Sequence, residues 1–560
     1  MKTFPRVIFL SFVHIYCLGF LFTTIQAQVI TAEFSRDIVI RSSDEYKGLL
    51  HHDSTGYTIY FYERSGKGLL GEPGRTLIIE RYDNQMNQLY SYAYGSEGEG
   101  LNSIDLISNG QQFHWVYLEK LSSYNYVYKM KTIQLDGKEG KAVKLFENKV
   151  DKGADIPYPK TIISKDSSHT AFIAYFDANK KKRDTKVYVS VFTDIGHKLT
   201  DKIHVLRGNQ KQYEFLDEVI TSTGEVYLLA KYYKSDKAKD KVRSRTGKEV
   251  AGYELVLIKI NKDGKAQNQM SLDLDGAFLH DAKLEVDLDD NLLVAGFLAS
   301  QHKGSLAGLF VKKYDASSVL LYEASKKFST KELLKLDKAD LNVNFKSKEK
   351  KGLDRDFDMG DIIVSSDGGF IITAEENKLR RNTDLSGFNY GYVDPGFNNN
   401  RESMYMISND VLSIAINAKG EISEEITLLQ KRQTSPAVRG NNFSSFREEV
   451  LKSLELFMSF GYMNHEGEVY YMFNDDIDNI DFSVTGKLEK ANRLDKMSPY
   501  IFHMNGDKQE REYLFEKDYP NFLVSPQTSK QISNNQYFFS MIEWRNKRER
   551  ALRIGRLTFH

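Results

Sequence analysis

The chain has 560 residues, with 77 basic against 77 acidic side chains and a formal charge of zero; lacking a basic excess or an acidic tail, it is not built for nucleic acid. Hydrophobic residues make up 41% and aromatics 12%, which suits a large packed core and argues against disorder. The single cysteine, Cys17, sits within the first segment, so the remainder has no disulfide, thiol nucleophile or thiolate metal site.

Met1–Ala27 reads as a signal peptide. Lys2 and Arg6 form its basic start, Ile8–Phe22 its largely apolar middle, and Ile25-Gln26-Ala27 a cleavage site. The competing reading is an uncleaved anchor, which Ser11, His14, Thr23 and Thr24 weaken. No later segment is long and apolar enough to span a membrane, so after cleavage no transmembrane segment is expected. An exported chain without cysteine points to the periplasm, the outer-membrane surface or the medium.

Residues 28–560 read as one domain. VITAEFSRDIVI, just after the leader, is strand-like and has no partner of its own. A strand–turn–strand pattern then returns about eight times. It reads LLHHDSTGYTIYFYE from Leu49, IDLISNGQQFHWVYL from Ile104, TIISKDSSHTAFIAYF from Thr161 and DEVITSTGEVYLLAKYY from Asp217. It continues as AKLEVDLDDNLLVAGFL from Ala282, DIIVSSDGGFIITAEE over Asp361–Glu376 and FGYMNHEGEVYYMFND from Phe460. The weakest copy is KQISNNQYFFSMIEW from Lys530. Each is a β-branched and aromatic run broken by Gly, Asn, Asp or Ser, residues that tolerate the positive φ of tight turns. A second hairpin follows most copies, as in VLIKINKDGKAQNQMSL from Val256 and SIAINAKGEISEEITLL from Ser413.

One unit is therefore four antiparallel strands. The first turns, at Gly56, Gly110, Ser167 and Gly224, are nearly evenly spaced, at a period longer than the ~40–50 residues of common propeller repeats. Separate sheets would expose every edge, whereas a radial ring protects them. The last unit shows only three strands, and pairing it with the strand-like start would close the ring. The fold class predicted is all-β: a propeller of eight four-stranded blades, with seven as the alternative. The turns Asp367-Gly368-Gly369, Asp263-Gly264 and Lys419-Gly420 resemble those of secreted bacterial β-propellers, a likeness covering most of residues 40–560. That resemblance implies architecture and leaves function open.

In a meander, the first-to-second and third-to-fourth turns share one face, and these are short. The long insertions, 328–357, 377–403, 431–456 and 474–498, fall on the other face, where binding is expected. Ser445-Phe446-Arg447-Glu448 has capping-box spacing ahead of Val450, Leu451, Leu454 and Leu456, predicting a helix. Thr330–Leu336 reads as another short helix.

The candidate ligand-binding residues sit near that face. Asp354, Arg355, Asp356 and Asp358 precede or begin the sixth unit's first strand. With Asp44, Asp105, Asp155, Asp217 and Asp281 they could line an axial funnel that takes a cation, a basic segment or a sugar; the plainer reading is that each acid caps a turn. Arg380, Arg381, Tyr390 and Tyr392 lie in the largest insertion, and Trp544-Arg545 in the last unit; these could stack on and hydrogen-bond a sugar or peptide. In Asn474-Asp475-Asp476-Ile477-Asp478-Asn479-Ile480-Asp481, Asp476 and Asp478 could offer oxygens to Ca2+. The EF-hand glycine and closing acid are missing, so a solvated loop is the plainer reading and no cofactor is expected. His51-His52 forms no metal motif, and no GxSxG elbow or P-loop occurs.

The expectation is thus a monomeric binding or scaffold propeller of the cell envelope whose long loops hold a protein or glycan, more in keeping with binding than with catalysis. The alternative is a glycan or peptide hydrolase or lyase using carboxylates at the channel mouth.

Overall fold

The computed structural model describes residues 30–560 except 42–43, 68–72, 96–100, 123–124, 150–158, 176–183, 195, 235–239, 244–248, 265–266, 300, 303, 305, 330, 334–356, 366, 385–400, 436–437, 441–456, 482–487, 492–495, 506–507, 516–521 and 545–548. Each repeat forms four antiparallel strands, lettered A to D in blade order. Blade 1 contains Glu45–Asp53, Gly56–Lys67, Pro73–Tyr82 and Gln88–Tyr94, hydrogen-bonded in that order. The same order recurs in blades 2 to 7, spanning 101–149, 160–209, 213–272, 278–327, 357–429 and 461–513. Blade 8 takes A to C from the chain's end and D from its beginning. Its A strand is broken into Phe522–Val524 and Lys530–Ser533, B is Gln536–Trp544 and C is Glu549–Phe559. Ile30–Phe34 and Ile38–Arg41 both pair antiparallel with C. The fold is an eight-bladed β-propeller, and the seven-bladed alternative falls.

The closing sheet is well fastened. Ser35, between the two N-terminal pieces, donates its N–H to Ile554 O at 2.8 Å and accepts from Ile554 N at 3.1 Å through Oγ. Arg553 Nε bonds Asp37 at 2.5 Å, with its guanidinium 4.2 Å from the Phe522 ring centre. Arg556 pairs with Glu33 and donates to the Tyr57 hydroxyl at 3.1 Å, tying blade 8 to blade 1.

Turn chemistry explains the hairpins. Asp53 Oδ1 accepts from the N–H of Thr55 at 2.7 Å and of Gly56 at 3.2 Å; Asp367 Oδ1 accepts from Gly369 at 2.9 Å. Asp287 Oδ1 likewise accepts from Asp289 and Asn291, both at 2.9 Å, so this acidic run is a turn cap. Two C–D turn glycines also fit blade to blade. Gly137 (φ 84°) and Gly420 (φ 85°) sit where a Cβ would come within 2.2 Å of Tyr92 and 2.4 Å of Tyr322, each on the D strand of the preceding blade.

The A strands face the axis. Those of blades 3 and 4, 4 and 5, 5 and 6, 7 and 8, and 1 and 2 touch one another. Between blades, the alternating strands bury their apolar faces in eight clusters, one dominating each junction. The cluster between blades 6 and 7 is the smallest, holding Val411, Leu429, Tyr471, Phe473 and Phe502 among the described residues. A polar network takes up the rest of that junction.

Buried His114 in blade 2 gives a stability signature. It is 1% exposed, its Nε2 accepts from Asn109 Nδ2 at 3.0 Å, and burial pushes its pKa from 6.5 down to about 4. As pH falls through this window, the unfolded chain binds a proton that the folded chain refuses. Stability should therefore fall by about 3 kcal/mol and then level off. Denaturant unfolding of the wild type and His114→Gln across this range checks it: the variant should lack that component, and matching pH profiles would refute it.

Candidate functional site

An axial cavity of about 710 Å³ runs along the A strand of blade 6, Phe357–Val364. Its other walls are the A strand of blade 7 and the break in that of blade 8, where Pro526–Thr528 forms one 3-10 turn. Asp358, Asn377 and Ser459 mark the insertion-face end, and Lys165, Glu285 and Val364 the turn-face end. Lys165 of blade 3 reaches Glu285 Oε1 and Val286 O of blade 5, each at 3.3 Å. Lys283 lies 3.7 Å from Asp361.

Beside this cavity lies a buried cluster that sequence reasoning missed. Glu375, part-way along the blade 6 B strand, accepts from Ser408 Oγ at 2.5 Å, Ser459 Oγ at 2.6 Å and Asn377 Nδ2 at 3.1 Å. Lys431, fully buried, pairs with it and donates to Ser408 Oγ at 2.7 Å and Gln433 Oε1 at 2.9 Å. Burial pushes the Lys431 amine below its usual range, with Glu375 opposing the shift. Gln433 Nε2 then donates to Asn474 O at 2.6 Å, carrying the network into blade 7. The available signal was the Glu375-Glu376 pair ending the clearest repeat copy; nothing local marks Lys431 as its partner.

The network stands at the foot of an arm. The B and C strands of blade 6, Phe370–Asp384 and Arg401–Ile416, are the longest described, and they stay paired out to Asp384 opposite Arg401. Gln433–Thr434 and Val438–Gly440 add to the outer edge of the C strand. Insertion 377–403, read above as a loop, is therefore paired strand at both of its described ends, 377–384 and 401–403, and residues 385–400 lie outside the described residues. The reason is continued strand pairing, which composition alone does not reveal.

The predicted site residues fare differently. Asp358 lines the cavity. Arg380 and Arg381 lie on the arm, opposite Tyr405 and Met404, and Trp544 ends the blade 8 B strand; their side chains lie outside the described residues. So do Asp354, Arg355, Asp356, Asp155, Tyr390, Tyr392, Arg545 and the helix expected after Ser445. At the other predicted helix, Lys331–Leu333 is helical, and Ser329 and Glu332 cap each other: Ser329 N donates to Glu332 Oε2 at 2.7 Å, and Glu332 N to Ser329 Oγ at 3.2 Å.

Four of the strand-A acids expected in the funnel, Asp44, Asp105, Asp217 and Asp281, bond backbone amides. Asp217 accepts from Leu284 N at 2.8 Å and Asp281 from Met359 N at 2.9 Å, each stitching its blade to the next. Asp44 accepts from Arg41 N at 2.8 Å, and Asp105 from Leu106 N at 2.9 Å. These acids serve backbone amides, and two of them serve a neighbouring blade rather than their own turn. His51 likewise meets Asp53 at 3.2 Å and Ser108 of blade 2 at 3.2 Å.

The 474–481 run is a correction, because it is not a solvated loop. Asn474 is fully buried, donates to Phe457 O and Val524 O, both at 2.7 Å, and accepts from Val524 N at 2.9 Å. Asp475, also fully buried, holds Arg511 at 2.5 Å and Asn479 Nδ2 at 2.8 Å. Burial pushes the Asp475 carboxyl up to about 6, with Arg511 pulling the other way. Asp476 is buried and accepts from Asp478 N at 3.1 Å, and Asp478 is exposed. Among the described residues, no three His, Cys, Asp or Glu side chains are grouped to hold a metal.

No protein-family model and no curated protein matches this chain. Among solved structures, it is similar to the WD40 domain of SCAP from fission yeast, at 9% identity and TM-score 0.35, covering 93% of this chain and 98% of that one. It is also similar to the β-propeller domain of the Trilobed protease from Pyrococcus furiosus, at 10% identity and TM-score 0.33, covering 85% and 99%. A mutant apocarotenoid oxygenase from Synechocystis matches at 9% identity and TM-score 0.27, covering 71% and 92%. No helix among the described residues is long and apolar enough to cross a membrane.

Proposed function

We propose that this β-propeller is an exported, non-catalytic scaffold of the cell envelope that captures a partner protein on the arm of blade 6. The observation that carries this reading is the arm's foundation. Its two strands, 15 and 16 residues long, are rooted in a buried network shared with blade 7. A platform braced in this way loses little conformational freedom when a partner docks, so less of the contact energy is offset by ordering. Asp217 and Asp281, engaged with backbone amides, are poor candidates for acid–base work.

The test removes the tip and spares the foundation. Residues 385–400 are replaced by an Asn-Gly turn, which suits a two-residue hairpin connection. The variant should keep the wild-type circular dichroism and unfolding midpoint yet lose the proteins that co-purify with the full chain from native envelope. Equal recovery of those proteins would overturn the reading. Mass measurement of the exported chain should place its first residue at Gln28; an intact leader would refute cleavage.

A further inference from the structure

The arm leaves the axial cavity without a role. Its size falls within the ~300–1,000 Å³ typical of small-molecule sites. Its wall combines three features.

The first is charge balance. Glu285 faces Lys165 at 3.3 Å, Asp361 faces Lys283 at 3.7 Å, and Glu375 is paired with Lys431. A carboxylate matched to a cation keeps unused lone pairs, so it can accept hydrogen bonds without adding net field to the cavity. Such a wall does not favour an anion or a cation strongly. It does favour a neutral ligand carrying many hydroxyls.

The second is an open acceptor. Asn377 donates through Nδ2 to Glu375. Its Oδ1 is buried from solvent and receives no hydrogen bond from a described group. An unpaired buried polar atom is costly, and a turn of the Asn377 amide that brings Oδ1 to the wall, onto a ligand hydroxyl, would relieve that cost. The third is aromatic surface: Phe460 and Tyr462 contribute to the same wall, beside the amides of Asn464 and Gln527. An aromatic face flanked by amides and carboxylates matches a sugar ring, apolar on one side and ringed by hydroxyls. A bare apolar cavity would lack the acceptors, and an aromatic cage for a cation would lack the lysines.

We propose that the axial cavity between blades 5 and 8 binds a short uncharged oligosaccharide, with Asn377 Oδ1 and Asp361 accepting from its hydroxyls and Tyr462 and Phe460 packing on its rings. The site takes in Asn377 at the foot of the arm and does not need the arm's far end, residues 385–400.

The experiment uses the chain from Gln28 onward on a printed array of neutral oligosaccharides (β-glucans, chitooligosaccharides and mannans) and of uronic-acid oligomers, followed by calorimetry with the best-retained neutral compound. Neutral glycans should be retained and uronic acids should not. Asn377→Ala and Tyr462→Leu should each weaken binding about fivefold, the order expected for one hydrogen bond or one ring contact. Both variants must first show wild-type circular dichroism, and Asn377→Ser replaces Asn377→Ala should the latter not fold. The chain lacking residues 385–400 should bind the sugar as the full chain does. Retention of no neutral glycan, equal retention of uronic acids, or unchanged affinity in both variants would overturn the proposal. A loss on tip deletion would also overturn it, by moving the sugar to the arm.

Discussion

Lys431→Met is expected to destabilise the protein by about 3–5 kcal/mol, the usual cost of leaving one charge of a buried pair without its partner. Lys431 is fully buried and bonded to Glu375, Ser408 and Gln433. Methionine fills a similar volume, so little of the loss would come from a cavity. The Glu375 carboxylate would keep the hydroxyls of Ser408 and Ser459 but no cation. Because the apolar cluster between blades 6 and 7 is small, packing there offers little compensation, and the foot of the arm should open first. The double variant Lys431→Met with Glu375→Gln should regain much of the loss, since it removes both charges and retains hydrogen-bonding capacity at position 375. Equilibrium denaturation of the three proteins decides it. A single variant within about 1 kcal/mol of the wild type, the range of an exposed ion pair, would show that the pair does not hold the junction.

Arg511→Leu should be comparably harmful, but only above mildly acidic pH. Arg511 bonds Asp475 at 2.5 Å and lies 5.9 Å from the ring centres of Phe473 and Phe502. Burial already pushes Asp475 up to about 6 from its ordinary 3.8 despite the guanidinium. Removing the guanidinium raises the folded-state value further. A carboxyl whose folded pKa lies above its unfolded one loses stability as pH rises between the two. The variant should therefore lie close to the wild type near pH 4, where Asp475 is protonated in the folded state of both proteins. It should fall behind by up to about 3 kcal/mol near pH 8, each pKa unit being worth about 1.4 kcal/mol. Asp475→Asn added to Arg511→Leu should flatten that dependence. A loss independent of pH would point to packing of the arginine stem instead.

Much of the architecture could be read along the chain. The turns at Gly56, Gly110, Ser167, Gly224 and Gly368 each needed one residue able to take positive φ or a close approach, and that requirement is local. The unpaired stretch 30–41 and a final unit one strand short pointed to closure, and Ile30 indeed faces Phe559. The acids were harder. Asp53, Asp287 and Asp367 cap their own turns, as spacing suggests. Asp217 and Asp281, within A strands, bond to the next blade's backbone. The acidic run around Asp475 resembled a surface loop because its buried partners, Arg511 and Val524, are distant in sequence.

The positions of the turns and the closure of the ring by the two chain ends were legible in the order of residues, with eight blades favoured over seven, because hairpins depend on contacts between residues a few positions apart. Only the tertiary structure decided that Glu375 meets Lys431, that the sixth blade extends into a braced arm, and that an axial cavity carries an unsatisfied Asn377 oxygen. Those outcomes depend on which blades come side by side around the ring. A repeating pattern of apolar and turn residues specifies each blade but says nothing about which polar side chains will face one another across the junctions.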